Sequence, residues 1–293
     1  MGRALSMFNF NLTSIDSWET ATGTAIGLRH EENDSVCQDR VASFSNSFFK
    51  SVALADGAGS RIHSHFGADF LTKKISKISV EQFETFYDES ISDLKNTYKE
   101  LIQSNLDIAA QDYGVDIKEL SSTLLFVVTD GSRYILGHLG DGIIATIGNN
   151  NDIQTLSEPD NDEYLNFTYF TTSSNLEKYI RIKKGILNNI KGFILMSDGS
   201  SEGLYLKSEK QFSKALLDII SWMKEYSSDR VSEAIDKNLK QKIRYKTSDD
   251  CSLAFLVSTE IVKDDKIVVH NPLEGLQQNI EDIFNWVDKR YFK

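Results

Sequence analysis

Short runs of apolar residues along the chain predict β-strands. Several of these runs are followed directly by Gly, Asp or Ser, which bound strands in many proteins. The predicted strands are Ala21–Leu28, Lys50–Ala55, Thr123–Val128, Tyr134–Leu139, Ile143–Ile147, Phe167–Thr171, Tyr179–Lys183, Gly192–Met196, Ser252–Ser258 and Lys266–Val269.

Apolar residues spaced three and four positions apart predict amphipathic helices elsewhere. These helices cover Ser64–Ile78, Val80–Tyr113, Glu209–Glu225, Ser228–Ile243 and Glu274–Tyr291. Asp-Gly turns join several strand pairs, and the helices come in blocks instead of following each strand. The order therefore predicts an α+β fold of two packed antiparallel sheets with helices outside, not a doubly wound parallel sheet.

The sequence predicts one domain. Only two prolines occur, Pro159 and Pro272, and no Gly/Ser-rich or Pro-rich linker divides the chain. We expect residues 1–260 to form this domain, and residues 261–293 to add a strand and a helix that pack on it.

Composition narrows the class of protein. The 293 residues are 40% hydrophobic, which is enough for a packed core, and the net charge is −11, which disfavours a nucleic-acid partner. Two cysteines are too few for a disulfide framework or a thiolate zinc site. No apolar run is long enough to span a membrane, so we expect a soluble cytoplasmic protein without a membrane partner.

Asp-Gly pairs are the most informative polar motifs. Asp130 lies between two predicted strands, so a hairpin turn accounts for it. Asp56 and Asp198 each end an apolar strand and are followed by small residues, which leaves room for a cation and a substrate. Asp141 fits either a turn or a ligand, and its spacing favours the turn.

Two further acidic positions add to this set. Asp249 and Asp250 precede the strand Ser252–Ser258, and Asp39 lies in a loop after the first strand. Carboxylates without Cys or His at ligand spacing favour Mg²⁺ or Mn²⁺ over zinc. Pairs of oxygen-ligated ions are the usual means of in-line phosphoryl transfer, so the pattern indicates phosphate chemistry.

Several short motifs also occur in a characteristic order. They are Gly27-Leu28-Arg29-His30, Cys37-Gln38-Asp39, Ala55-Asp56-Gly57-Ala58-Gly59-Ser60, Gly67-Ala68, Ser122-Thr123-Leu124, Gly140-Asp141-Gly142, Asn166-Phe167-Thr168, Ser197-Asp198-Gly199 and Asp249-Asp250-Cys251-Ser252. Together they resemble the metal-dependent protein phosphatase 2C family, in its bacterial branch with Gly-x-x-His and Cys-Gln-Asp motifs. The resemblance spans Thr22 to Val257.

The resemblance implies a four-layer α-β-β-α sandwich with a binuclear site at one end of the sheets. In that site Asp56 would bridge two ions and the Gly57 carbonyl would hold one of them. Asp198 and Asp249 would hold the other, and Asp39 would lie in the metal shell through water. Asp141 would help Asp198 to hold a third ion.

The chain departs from the family pattern beside the site. Ala58 stands where some relatives have a general-acid His. Arg29, the candidate for binding the phosphoryl group, precedes Asp39 by ten residues instead of a few, and His30 is the alternative. His63 and His65 are expected at the surface, and His138 in the core.

The function implied by the resemblance is hydrolysis of phosphoserine and phosphothreonine in proteins, by a water activated by two Mg²⁺ or Mn²⁺ ions. A cognate protein kinase is a partner that the same resemblance implies. The alternative is a non-catalytic module that binds a phosphoprotein or regulatory partner, although such a module has no need of three strand-end carboxylates.

Overall fold

The computed structural model describes residues 15–159 and 168–259. Its strands are β1 Trp18–Ala25, β2 Arg40–Ser45, β3 Lys50–Ala55, β4 Leu124–Thr129, β5 Arg133–Leu139, β6 Ile143–Gly148, β7 Ile153–Ser157, β8 Arg181–Ile186, β9 Ile190–Met196, β10 Tyr205–Leu206, β11 Gln211–Phe212 and β12 Cys251–Ser258. Its helices are α1 Leu28–Glu32, α2 Ser64–Glu81, α3 Phe83–Asp88, α4 Ile91–Tyr113, α5 Leu176–Tyr179, α6 Asp198–Leu204, α7 Ala215–Glu225 and α8 Ser228–Gln241. The predicted strand Lys266–Val269, the predicted helix Glu274–Tyr291 and the segment 261–293 lie outside the described residues.

Two five-stranded sheets form the centre of the fold. One has the order β1-β12-β9-β6-β7 and the other β2-β3-β4-β5-β8. All pairings between the described strands are antiparallel. This confirms the predicted α+β fold and excludes the doubly wound parallel alternative.

Helices cover the outer faces of both sheets. The helices α2 and α4 pack on the second sheet around the buried Tyr98, while Ile235 of α8 packs against Gly23 of β1 on the first sheet. The inner faces of the two sheets meet around side chains such as Leu54 and Phe193, which are fully buried. Each such apolar side chain stabilises the fold by roughly 1.5–3 kcal/mol. The layers are therefore helix, sheet, sheet, helix, as the resemblance implies.

The predicted helix Val80–Tyr113 is not continuous. The structure ends α2 at Glu81 and divides the rest into α3 and α4. Ser90 begins a new helix because its hydroxyl accepts a hydrogen bond from the Asp93 amide, which caps α4. The apolar spacing alone did not reveal this cap.

Two predicted strands are also corrected. Thr168–Phe170 has no regular structure, and the Thr171 amide donates to the Ser122 carbonyl of a loop instead of to a neighbouring strand. The first strand ends at Ala25 and not at Leu28, because the chain leaves the sheet where the Gly27 amide binds the Asp250 carboxylate.

None of the described helices is long and apolar enough to cross a membrane.

Candidate metal centre

The ends of strands from both sheets bring three aspartates together. Asp56 follows β3 of one sheet, and Asp198 follows β9 of the other. Asp141 lies in the connection from β5 to β6, which joins the two sheets. One carboxylate oxygen from each of the three lies within 4.8 Å of the other two. Motifs that are far apart in sequence therefore meet at one edge of the sandwich.

Asp141 is not in a hairpin turn, which corrects the expectation from its spacing. Its flanking strands β5 and β6 belong to different sheets, so the Gly140-Asp141 segment is a crossover. Gly140 has φ +111°, and a Cβ there would lie 2.5 Å from Thr123 Cγ2, so only glycine fits. Asp141 Oδ2 accepts a hydrogen bond of 2.6 Å from the hydroxyl of Thr168. This contact places Thr168, the last residue of the Asn-x-Thr motif, beside the site.

The backbone around Asp56 is held in a fixed position. The Asp56 amide donates to Thr123 Oγ1 at 2.9 Å, and the Thr123 amide donates to the Asp56 carbonyl at 2.8 Å. A Cβ at Gly57 would lie 2.6 Å from the Ser64 hydroxyl, so the following turn tolerates only glycine. The Ser122-Thr123 motif therefore positions the Asp56-Gly57 turn.

A second close contact brings Asp198 beside the Asp249-Asp250 pair. A Cβ at Gly199 would lie 2.2 Å from the Asp250 carbonyl oxygen, so the start of α6 approaches this loop as closely as backbone allows. Asp198 Oδ1 accepts a hydrogen bond from the Gly199 amide at 2.6 Å, which fixes its side chain.

Electrostatic coupling extends the cluster to five aspartates. The pKa of Asp56 is well above its ordinary value, first because of burial and then because of repulsion from Asp39, Asp198, Asp249 and Asp141. The pKa of Asp198 rises to about 6, again through burial first, followed by the charges of Asp141 and Asp249. Asp39 and Asp249 therefore lie close enough to interact electrostatically with the group of Asp56, Asp141 and Asp198.

Asp39 is the most deeply buried member. Its side chain is 1% exposed, and neither carboxylate oxygen has a hydrogen bond of standard geometry within the described residues. Burial, followed by repulsion from Asp250, raises its pKa to about 8, while the hydroxyls of Ser252 and Ser197 oppose this rise. Buried carboxylate oxygens without donors are unusual, and a bound cation would satisfy them.

This donor set fits a hard divalent cation. The group of Asp56, Asp141 and Asp198 offers carboxylate oxygens, the ligands that Mg²⁺ and Mn²⁺ prefer. Both cysteines have thiol pKa values raised by burial, so they are poor ligands. The residues present are therefore suited to the ions that the resemblance implies.

Asp250 has a different role from Asp249, and sequence reasoning missed it. Its Oδ1 accepts the Gly27 amide at 2.7 Å, its Oδ2 accepts the Gln38 amide at 2.5 Å, and His30 Nδ1 lies 3.0 Å from Oδ2. One buried carboxylate thus binds both ends of the segment 28–37. The only signal in the sequence was its place directly before a buried strand.

An open cleft of about 550 Å³ lies beside α1, and none of the five aspartates lines it. Its link to them is His30, which lines the cleft and has a ring nitrogen within 4.8 Å of a carboxylate oxygen of Asp249. Arg29 and His30 of α1, the candidates for binding the phosphoryl group, line it. His63 and His65, expected at the surface, also line this cleft, and so does Arg61, which the sequence had not singled out.

Two other sequence predictions are confirmed. Asp130 forms a hairpin turn between β4 and β5, where its Oδ1 accepts the amides of Ser132 and Arg133. His138 is fully buried and hydrogen-bonded to Ser157, and burial is the main reason that its pKa is well below the ordinary value.

Comparison with solved structures finds a similar fold in several bacterial proteins. A bacterial serine phosphatase is 15% identical with a TM-score of 0.53, covering 85% of this chain and 99% of its own. The serine/threonine phosphatase Stp1 from Staphylococcus aureus is 14% identical with a TM-score of 0.52, covering 88% and 98%. PppA, a key regulatory component of T6SS in Pseudomonas aeruginosa, is 15% identical with a TM-score of 0.52, covering 82% and 97%.

Sequence comparison gives the family directly. No curated protein matches the chain. The family model described as "Protein phosphatase 2C" matches residues 26–241, which is most of the chain and includes the aspartates Asp39, Asp56, Asp141 and Asp198. On this match, and with the fold that it shares with the solved phosphatases, the chain belongs to the protein phosphatase 2C family.

Proposed function

We propose that this chain is a metal-dependent protein phosphatase that hydrolyses phosphoserine and phosphothreonine. The observation that carries the proposal is the convergence of Asp56, Asp141 and Asp198 from two sheets within 4.8 Å of one another. An acidic cluster beside a cleft lined by arginine provides the two elements that phosphoryl transfer requires, namely cation sites and groups that bind the phosphoryl oxygens.

We assign each aspartate of the cluster a proposed role as a cation ligand. Two Mg²⁺ or Mn²⁺ ions would lower the pKa of an attacking water and stabilise charge on the phosphoryl oxygens. Asp56 and the Gly57 carbonyl would hold one ion, with Asp56 shared between both. Asp198 and Asp249 would hold the other, Asp39 would act through water, and Asp141 would join Asp198 at a third ion.

Arg29 is the proposed clamp for the phosphoryl group. Its side chain is exposed on α1, lines the cleft and forms no ion pair with the other described residues. A guanidinium group matches two phosphate oxygens in a bidentate fork, which an ammonium group does not. Arg29 is therefore free to bind the substrate before and during the reaction.

His30 is the proposed general acid for the leaving group. The serine or threonine alkoxide that leaves must gain a proton, and Ala58 provides no group for this. The Nδ1 atom of His30 lies 3.0 Å from Asp250 Oδ2, and the residue lines the same cleft. This placement supports His30 as the proton donor to the leaving oxygen.

The acidic cluster also favours an enzyme over a non-catalytic binding module. Burial, followed by repulsion from four neighbouring aspartates, raises the pKa of Asp56, and an ionised cluster of this kind destabilises the fold unless cations neutralise it. A module that only binds a phosphoprotein gains nothing from this arrangement. For the enzyme, we propose phosphoproteins as substrates, a cognate protein kinase as the partner that produces them, and the cytoplasm as the location.

The proposal is tested with a phosphothreonine peptide and millimolar Mn²⁺ or Mg²⁺. We expect metal-dependent release of phosphate, and a loss of about 100-fold or more in Asp56→Asn and Asp198→Asn, because a neutral amide does not hold a shared dication. Asp130→Asn is the matched control, since it also replaces an Asp before a Gly and its amide oxygen can still accept the turn hydrogen bonds. No turnover by the wild type with either metal would support the non-catalytic alternative instead.

A further inference from the structure

We infer that the cleft beside the carboxylate cluster binds the residues that flank the phosphorylated one and selects acidic sequences. The inference rests on the proposed phosphatase function and names its substrate class. The substrates are phosphoproteins with Asp or Glu next to the phosphoserine or phosphothreonine.

Two residues of the cleft connect it to the acidic cluster. Two segments, 29–38 and 59–65, form it, and Gln38 joins them by donating from Nε2 to the Arg61 carbonyl at 2.8 Å. Gln38 directly precedes the buried Asp39, and His30 contacts Asp250. A peptide with its phosphate at the aspartates would therefore extend its neighbouring residues into this space.

The charged side chains that line the cleft are mostly basic. Arg29 and Arg61 come from its two separate segments, and Asp34 is the one acidic residue among the lining side chains that the structure describes. Arg29 has no ionic partner among those residues. Two guanidinium groups are more than one phosphoryl group requires, so Arg61 is available for a second negative charge.

Arg61 already has a partner, but a weak one. Its Nη1 lies 3.1 Å from Glu119 Oε1, and the two side chains are 42% and 29% exposed. Exposed ion pairs contribute little to stability, so an acidic residue of a substrate can compete with Glu119 for this guanidinium. His63 Nδ1 lies 3.9 Å from the other oxygen of Glu119, which is beyond hydrogen-bonding distance.

Exposed aliphatic side chains flank the same space. Val36 is 51% exposed and Ile62 is 77% exposed, and both line the cleft. They can cover the apolar parts of a bound peptide without favouring either charge. The charge preference is therefore assigned to the arginines.

The charge of the whole chain predicts the opposite preference. With a net charge of −11, long-range electrostatics attract basic peptides and repel acidic ones. If acidic peptides are preferred, the cause must be the arginines of the cleft, because the electrostatic field of the net negative charge acts in the opposite direction.

The test uses three phosphothreonine peptides that differ only in the two residues on each side, which are Glu, Ala or Lys. We expect kcat/KM to fall in the order Glu, Ala, Lys, with a Glu-to-Ala ratio of about 3 to 10. This ratio should decrease as salt is raised, because the arginines are partly exposed. The order Lys, Ala, Glu, or equal rates, would overturn the inference while leaving the phosphatase proposal intact.

Variants assign the preference to Arg61. The ratio is compared within each protein, so changes in overall activity cancel. We expect Arg61→Ala to bring the Glu-to-Ala ratio close to 1, Arg61→Glu to reverse it and Arg61→Lys to retain most of it. Arg230→Ala, at an exposed position of α8 away from the cleft, is the control and should match the wild type. An unchanged ratio in folded Arg61→Ala contradicts the inference, and no hydrolysis of any peptide overturns it together with the proposed function.

Discussion

The Gln38 amide donates a 2.5 Å hydrogen bond to Oδ2 of Asp250, a residue 212 positions later in the chain. The other oxygen of Asp250 accepts the Gly27 amide, so the two ends of the segment 28–37 are tied to one carboxylate. The residues that precede Arg29 and Asp39 therefore meet at one carboxylate, although ten positions separate Arg29 from Asp39. The intervening residues form a loop, and the backbone amides on either side of it both donate hydrogen bonds to Asp250.

The neighbouring aspartates Asp249 and Asp250 should therefore respond in opposite ways to the same change. Asp250→Asn replaces one of two buried acceptor oxygens by a donor, and we expect a loss of about 1–3 kcal/mol in the free energy of unfolding. Asp249→Asn removes a proposed metal ligand that is not buried, so we expect it to abolish metal-dependent phosphatase activity without loss of stability.

Urea unfolding in the absence of metal and phosphatase assays with Mn²⁺ distinguish the two variants. Stability losses of equal size in both would show that Asp249 shares the structural role of Asp250. Full activity of Asp249→Asn at millimolar Mn²⁺ would remove Asp249 from the metal site.

The acidic cluster predicts that stability without metal falls as the pH rises. Unfolded aspartates ionise near 3.8, whereas the folded pKa is about 8 for Asp39 and about 6 for Asp198. Between these values the folded chain binds more protons than the unfolded chain. The stabilisation that these extra protons provide is complete below about pH 4 and is lost as the pH rises through the folded pKa values. Over this range the free energy of unfolding falls by about 1.4 kcal/mol per pH unit for each extra proton.

Urea titrations in EDTA from pH 5 to pH 8.5 measure this dependence. We expect Mn²⁺ to reduce it, because a bound cation takes the place of the protons. Asp39→Asn should flatten the profile, whereas Asp130→Asn should not. A wild-type profile that rises with pH over this range would contradict the assigned pKa directions.

Local features of this fold were predictable from the sequence. The strand Lys50–Ala55 and the start of α2 at Ser64 were placed correctly, because an apolar run and a helical repeat are local signals. Asp56 and Asp198 were singled out because each follows such a run. β2 was missed because its residues, Arg40–Ser45, are only partly buried and lack an apolar repeat.

Features that depend on distant contacts were not predictable in this way. The sequence around Asp141 resembles a hairpin turn, and only the assignment of β5 and β6 to different sheets shows that it is a crossover. The role of Asp250 depends on amides more than 200 residues away. Local pattern therefore identified the carboxylates, while the topology determines which of them meet.

Arg29 and His30 are the residues whose roles are most readily separated by kinetics. If Arg29 binds the phosphoryl group, Arg29→Ala should raise KM and lower kcat/KM by roughly 10–1000-fold, for p-nitrophenyl phosphate and for a phosphothreonine peptide alike. Arg29→Lys keeps the charge but loses the bidentate fork, so we expect an intermediate value.

His30→Ala should instead lower kcat and depend on the leaving group. Nitrophenolate leaves without a proton, whereas the threonine alkoxide requires one, so the loss should be mild for p-nitrophenyl phosphate and severe for the peptide. Equal losses on both substrates would indicate that His30 supports the loop through Asp250 instead of donating a proton. Wild-type rates for both alanine variants on the peptide would remove the segment 28–37 from the mechanism, because Arg29 and His30 are the two residues through which it is proposed to act.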